Sequence, residues 1–259
     1  MLGYATSFLG VVPIRETISH RSGMVTQLLF GEQCVILEQF QNWYKIRVQF
    51  DNYEGWVEKK QLHEIDEKSY KKILEEPTKT YLNSPMAFVR SDRFQIPILI
   101  GSSLPFFENN SFSIGNEKFI LENGETYTTK QPSLEKVSFF ALKYYKSPYL
   151  WGGRSFFGLD CSGFVQNVFR VCGYPLPRNS VNQAEEGQVI NFISEAKAGD
   201  LLFFDNDEDV INHVGIYIGN QQIIHASGEV RIDKIDHHGI FNESIKEYSH
   251  KLRLIKRLG

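Results

Sequence analysis

Followed from one end to the other, the apolar and polar positions of the chain fall into three textures. Up to about Ile65 the apolar residues come in short runs broken by turns: QCVILEQF, then NWYKIRVQF, then a turn at Asp51-Asn52-Tyr53-Glu54, then EGWV. In the second run Trp43, Lys45, Arg47 and Gln49 alternate with Tyr44, Ile46 and Val48, the period of a half-buried strand. Strands this short and this closely spaced predict a small β-barrel over residues 1–65. A charged connector, EIDEKSYKKILEEP, has the composition of a helix over 64–77 and stops at Pro77. Beyond it MAFVR, FQIPILIG, FSIGNEKFIL and ETYTT read as strands, punctuated by Gly115-Asn116 and Asn123-Gly124. The length matches the first section, so a second small barrel is expected over 66–130.

After Pro132 the period changes. In SLEKVSFFALKYY, Leu134, Val137, Phe140, Ala141 and Tyr144 recur at helical spacing, with Ser133 placed as a cap. A second stripe of Phe164, Val165, Val168, Phe169 and Cys172 starts just after Cys161 and ends at Gly173, a residue suited to the position after a helix. Three strands follow: DLLFFD, HVGIYIGN and QQIIHAS. Helices followed by antiparallel strands predict an α+β domain over 131–259.

Composition narrows the function classes. Aromatic residues make up 14% of the chain, which favours β-rich architecture in the first half. A formal net charge of −3 and the lack of a basic run argue against nucleic acid as a partner. No apolar stretch is long enough to span a bilayer, so no membrane partner is expected. The first residues, MLGYATSFLGVVPIRE, have no basic lead and no long apolar run with a cleavage site. This points to a cytoplasmic protein, or to the mature or trimmed form of a periplasmic one. Cys34, Cys161 and Cys172 cannot all pair, so at least one thiol is free.

Cys34 and Cys172 lie in apolar patterns and read as core residues. Cys161 differs, because Asp160, Ser162 and glycines surround it. Asp160 stands at the expected N-cap, so Cys161 falls in the first turn, where unpaired amides and the helix dipole favour a thiolate. Gly158 and Gly163 leave room for a substrate backbone. A thiol nucleophile needs a base and a group that orients the base. His213 and His225 open and close two strands joined at Gly219-Asn220. Both numbers are odd, so the rings share a face only if opposing residues sum to an even number, which requires an odd-length loop or a bulge. A three-residue loop at Gly219-Asn220-Gln221 would do this, with His213 accepting the thiol proton and His225 holding its other nitrogen. His20, His63, His237, His238 and His250 lie in polar, turn-like surroundings and are given no catalytic part. A zinc site on the same three side chains lacks the short-spaced ligand pairs of structural zinc. No metal and no cofactor are expected.

The blocks D-C-S-G-F-V, H-V-G-I-Y-I-G and I-I-H-A-S resemble the NlpC family of bacterial cell-wall cysteine peptidases. The resemblance covers about residues 131–259 and implies a papain-like core with Cys161 as nucleophile, His213 as base and His225 as the orienting member. Upstream, W-x-K-I-x-V, a turn and G-W-V resemble a bacterial SH3-like domain over roughly residues 10–62. Tyr149 in P-Y-L-W-G-G-R-S, Asp160 and Ser162, and Arg178 and Ser180 in P-R-N-S resemble one subgroup with two SH3-like domains, the γ-D-glutamyl-L-diamino acid endopeptidases of murein recycling. The implied substrates are stem peptides, L-Ala-γ-D-Glu-diamino acid, with a free L-alanine amine. Asp160 would meet that ammonium, and Ser162 and Ser180 a substrate carboxylate. Tyr53 is the candidate for a tyrosine contributed by the first SH3-like domain, or else a plain turn aromatic. The acidic partner expected near S-G-M-V-T-Q is replaced there by Gly23. Glu32 or Glu54 would substitute, or Asp160 and Tyr53 would suffice. The rival readings are a hydrolase of intact wall with SH3-like wall-binding modules, and an inactive wall-binding protein.

Overall fold

The computed structural model describes residues 1–205 and 209–259. The chain divides into two compact units, Met1–Gln131 with Trp151–Phe156, and Pro132–Leu150 with Phe157–Gly259.

The first unit opens with β1 (Gly3–Thr6), β2 (Val11–Arg15), β3 (Met24–Leu29), β4 (Gln33–Phe40), β5 (Trp43–Val48), β6 (Glu54–Glu58) and β7 (His63–Ile65). They form one antiparallel sheet in the order β3-β2-β6-β5-β4-β1-β7. The alternation in β5 is real. Tyr44, Ile46 and Val48 enter a core with Val12, Ile14, Leu28, Ile36 and Val57, while Lys45 and Arg47 pair outside with Glu54. Cys34 is a core thiol, and burial pushes it up to about 12. The turn between β5 and β6 closes because the Asp51 carboxylate accepts the Tyr53 amide proton (3.0 Å), with Asn52 at φ 58°. The connector is helical only as α1 (Glu67–Leu74), capped by Asp66, which accepts the Ser69 N–H (2.8 Å).

Six more strands complete the section: β8 (Lys79–Leu82), β9 (Met86–Arg90), β10 (Gln95–Leu99), β11 (Ser111–Ile114), β12 (Glu117–Leu121) and β13 (Thr126–Thr129). They form a four-stranded sheet, β10-β9-β12-β11, and a β13-β8 pair. Phe30, from the β3–β4 turn, packs edge-on against Phe112 and Phe119 in this second core. The two β-rich sections therefore share buried residues.

In the second unit the expected helix after Pro132 is short. Only α2 (Val137–Leu142) forms, and Ser133 accepts the Glu135 amide in a local turn instead of capping it. The two-residue strands β14 (Arg154–Ser155) and β15 (Gly158–Leu159) precede α3 (Cys161–Val171). Asp160 caps α3 by accepting the Gly163 N–H (2.7 Å), and Gly173 follows it at φ 90°. Its stripe of Phe164, Val165, Val168 and Phe169 is fully buried, at roughly 1.5–3 kcal/mol per side chain. A one-turn helix, α4 (Ser180–Gln183), leads to β16 (Gln188–Ile190), β17 (Leu201–Asp205), β18 (Ile211–Gly219), β19 (Gln222–Ser227), β20 (Glu229–Ile235), β21 (Gly239–Asn242) and β22 (Glu247–Arg257). The sequence reading stopped at β19. Because β22 pairs with both β17 and β21, strands β17 to β22 close into a six-stranded ring, and β16 adds to β22. Leu202, Phe204, Tyr217, Ile223, Ile235, Ile240 and Ile255 pack together as its core.

The segment Trp151–Phe156 belongs with the first unit, not with the flanking residues of the second. Arg154 is the reason. Its guanidinium meets both oxygens of Glu32 (2.9 and 3.0 Å), donates to the Gln27 carbonyl (2.7 Å) and lies 4.7 Å from the Phe50 ring centroid. Gln27 Oε1 accepts the amides of Arg154 and Ser155. Gly152 sits at φ 75°, where a Cβ would fall 2.1 Å from the Met24 carbonyl oxygen, so no other residue fits without a shift. Arg154 and Glu32 side chains are 1% and 0% exposed, so removing either charge strands the other in a dry site. Glu32→Ala should therefore cost about 3–5 kcal/mol, or roughly 10 °C in Tm by thermal circular dichroism. A change below about 2 °C would show that the pair does not anchor the segment.

Candidate active site

Cys161 occupies the first position of α3, where the backbone amides of Ser162 and Val214 favour its thiolate. Val214 follows His213 in β18, so the helix N-terminus meets the start of that strand. In the β18–β19 hairpin Gly215 lies opposite His225, Ile216 opposite Ile224 and Tyr217 opposite Ile223. Opposing numbers sum to an even value, and the two histidines share a face. The device is not a three-residue loop. A bulge between Tyr217 and Gly219 is followed by a two-residue turn, Asn220-Gln221, with both φ angles positive (52° and 57°). His213 Nε2 lies 2.9 Å from His225 Nδ1, a diagonal contact across the ladder. Gly215 stands between them in sequence, and a Cβ there would come within 2.8 Å of the His225 Cβ.

Two further residues join this line: Asp233, which the sequence did not single out, and His250, expected in a turn without a catalytic part but found in a strand beside His213. His225 Nε2 lies 3.0 Å from Asp233 Oδ2, and Asp233 is held by Arg231. His250, from β22, stacks on His213 with centroids 4.2 Å apart and planes at 26°. The alternating run VRIDKI carried the clue to Asp233, since its period places Arg231 and Asp233 on one strand face.

On the other side of Cys161, Asp160 and Arg178 form a buried bidentate ion pair (Oδ1–Nη1 3.0 Å, Oδ2–Nη2 2.6 Å). Arg178 also donates to the Ser162 hydroxyl (2.9 Å), which in turn donates to Asp160 (3.2 Å). Gln183, unremarked in the sequence, donates to the carbonyls of Ser162 (3.1 Å) and Pro177 (2.8 Å). Ser180 begins α4, half-buried. Tyr149 is half-buried as well, with its backbone amide bonded to the Gly228 carbonyl (2.9 Å). Tyr53 belongs to the first unit, at the β5–β6 turn. The two acidic substitutes considered for Gly23 are both engaged, Glu32 by Arg154 and Glu54 by Arg47 and Lys45.

Residues 146–248 match the NlpC/P60 family, and residues 14–62 match the bacterial dipeptidyl-peptidase SH3 domain. Over 235 residues the chain is 32% identical to the γ-D-glutamyl-L-lysine dipeptidyl-peptidase of Bacillus subtilis, with 82% of this chain and 77% of that one covered. The chain belongs to the NlpC/P60 family. A Bacillus cereus protein of the same description is 25% identical over 234 residues, covering 81% of this chain and 69% of its own. A solved NlpC/P60 family structure from Bacillus cereus superimposes with a TM-score of 0.82 over 98% of this chain and 99% of its own, and at 19% identity it speaks for the fold. The protein is thus a cysteine peptidase with a papain-like domain and an SH3-like β-rich N-terminal region.

The electrostatics of this NlpC/P60 site set how its thiol can react. Burial, and then the Asp160 carboxylate, push Cys161 up to about 11, against the pull of the Val214 and Ser162 amides and of Arg178. The helix N-terminus alone therefore does not hold a free thiolate, contrary to expectation from the sequence. Burial, with His225 and His250 beside it, lowers His213 well below the ordinary histidine value. Burial thus favours a neutral thiol and a neutral imidazole, the starting states that general-base activation requires. The sign for pH follows. A base with a depressed pKa stays neutral below the usual value of about 6.5, so it remains competent there. Peptidase activity should hold as pH falls past about 6.5 and drop only on passing the depressed value; an acid limb at or above about 6.5 would contradict this assignment. Cys161→Ala should abolish activity, Cys34→Ser and Cys172→Ala should keep it, and a chelator should have no effect. Inhibition by chelation, or turnover by Cys161→Ala, would show a different chemistry.

Proposed function

We propose that the enzyme hydrolyses the γ-D-glutamyl–L-diamino acid bond of murein stem peptides that begin with a free L-alanine. The observation that carries this is the alignment with γ-D-glutamyl-L-lysine dipeptidyl-peptidase, which extends well beyond the papain-like domain. On this reading the SH3-like domains (1–65 and 66–130) precede a catalytic domain at 131–259. Cys161 attacks the γ-carbonyl carbon of D-glutamate, and His213 takes the thiol proton and returns it to the departing amine. Water then resolves the acyl-enzyme. His225 orients His213.

Recognition uses the charged end of the peptide. Asp160, braced by Arg178, faces the ammonium, with Ser162 and Ser180 toward a carboxylate and Tyr53 contributed by the first SH3-like domain. Burial, Cys161 and Asp160 push the Tyr149 phenol up to about 12, so it stays a hydrogen-bond donor at neutral pH. Because Asp160 already pairs with Arg178, an ammonium adds to a compensated carboxylate and not to a bare one.

The test compares kcat/KM for free and N-acetylated L-Ala-γ-D-Glu-diamino acid. Losing one charge-assisted hydrogen bond costs roughly 1.5–3 kcal/mol, so the acetylated peptide should be slower by about one to two decades. Intact sacculi should release little product. Equal rates on both peptides, with efficient release from sacculi, would replace this reading with a hydrolase of the intact wall.

A further inference from the structure

We propose that Asp233 is a fourth member of the relay, a positioning residue that sets the ring tautomers of His225 and His213 so that a bare nitrogen is presented to Cys161. The inference rests on the reading of Cys161 and His213 given above, and it adds a residue with no part in that reading.

The hydrogen bonds run along one diagonal of the sheet. His213 on β18, His225 on β19 and Asp233 on β20 step across three neighbouring strands, with Ile223 opposite Asp233 and Gly215 opposite His225. An ionised carboxylate accepts hydrogen bonds and donates none. Asp233 is ionised. Burial works against this, yet hydrogen bonds from His225 and Arg231 hold it below the ordinary carboxylate value. The 3.0 Å contact therefore requires the proton on His225 Nε2. A neutral imidazole carries one N–H, so His225 Nδ1 is a lone pair and must accept across the 2.9 Å contact to His213. That places the His213 proton on Nε2 and leaves Nδ1 unprotonated, the one ring atom able to receive the thiol proton.

Other groups around the rings do not compete for these assignments. His250 meets His213 by stacking, and its Nδ1 partner is the Ser249 hydroxyl (2.9 Å). Burial, and then His225, push His250 down to about 4, so it adds no positive charge to the cluster at neutral pH. Arg231 approaches Asp233 from the far side, with Nη2 donating to Oδ1 (2.8 Å) and Nε 2.6 Å from Oδ2, and Nη2 also reaches the Asn242 side-chain oxygen (3.3 Å). The carboxylate can neither rotate away nor protonate easily. A direction is thus transmitted from a fixed charge, through two rings, to the reacting sulfur.

Asp233→Asn separates this role from simple packing, because it keeps the shape. Arg231 Nη2, the atom that hydrogen-bonds the native carboxylate, keeps the amide oxygen at the Oδ1 position, so the NH2 group turns toward His225 and Arg231 Nε moves aside. His225 must then carry its proton on Nδ1, and His213 is forced to accept at Nε2 and to present an N–H to the thiol. The expected result in the full-length protein is a fall in kcat of about 10- to 100-fold with KM within about twofold. Ring 15N NMR without substrate should show His213 protonated on Nε2 in the native protein and on Nδ1 in Asp233→Asn. Asp233→Ala, with no fixed acceptor, should give mixed tautomers. Unchanged tautomers in both variants would overturn the inference whatever the rates. Turnover by Cys161→Ala would instead overturn the reading on which it rests.

Discussion

The catalytic half of the molecule hangs on one contact, the hydrogen bond between His213 and His225. It exists only because β18 and β19 pair in a register that puts both rings on one face. A slip of one residue would send one ring to each side of the sheet and dissolve the site without unfolding the hairpin. The bulge between Tyr217 and Gly219 supplies the odd residue that the parity requires, and Asn220-Gln221 supplies a tight turn whose twist matches the strands. Gly215 then keeps the space that a diagonal ring contact needs. Three local choices serve a single geometric demand, and the six-stranded ring holds them against thermal slippage.

Two buried ion pairs shape the chain around this contact in different ways. Glu32 and Arg154 meet across 122 residues of sequence and join a short catalytic-region segment to the first unit. Asp160 and Arg178 meet across 18 residues and brace the first turn of α3. Desolvating such charges gives little net stability, so their worth lies in geometry. Each guanidinium forks onto a carboxylate that also accepts a backbone amide: that of Leu29 for Glu32 and that of Gly163 for Asp160. A planar fork fixed on both sides sets distance and orientation together.

The sequence was most legible where one period governed one element. The stripe after Cys161, its Asp160 cap and Gly173 marked α3 to within a residue or two, and β4, β5, β6, β18 and β19 stood out by alternation. Parity also told that His213 and His225 could share a face through an odd-length loop or a bulge, and the bulge is the device present. The losses have a common cause. The run VRIDKI alternates, but nothing in it points Asp233 toward His225, and nothing beside His250 in β22 points it toward His213. Arg154 was visible only as a letter in W-G-G-R-S, because nothing local to it indicates a partner 122 residues away. The helix expected at 133–145 shrank to Val137–Leu142 since Ser133 spends its hydroxyl on a turn.

The two sides of Cys161 also act on each other. Asp160 is the second largest reason, after burial, that the thiol holds its proton, while Arg178 eases it. On the proposed reading, the substrate ammonium joins Asp160 and offsets the carboxylate charge felt by the sulfur. Peptide binding then removes one cause of the raised thiol and excludes water, which strengthens the remaining pull of the amides and of Arg178. On the opposite side the His213 and His225 rings are held neutral by burial, ready to accept the proton when that balance shifts. A blocked amine would therefore fail twice, by lost contact and by a thiol left as reluctant as in the empty enzyme.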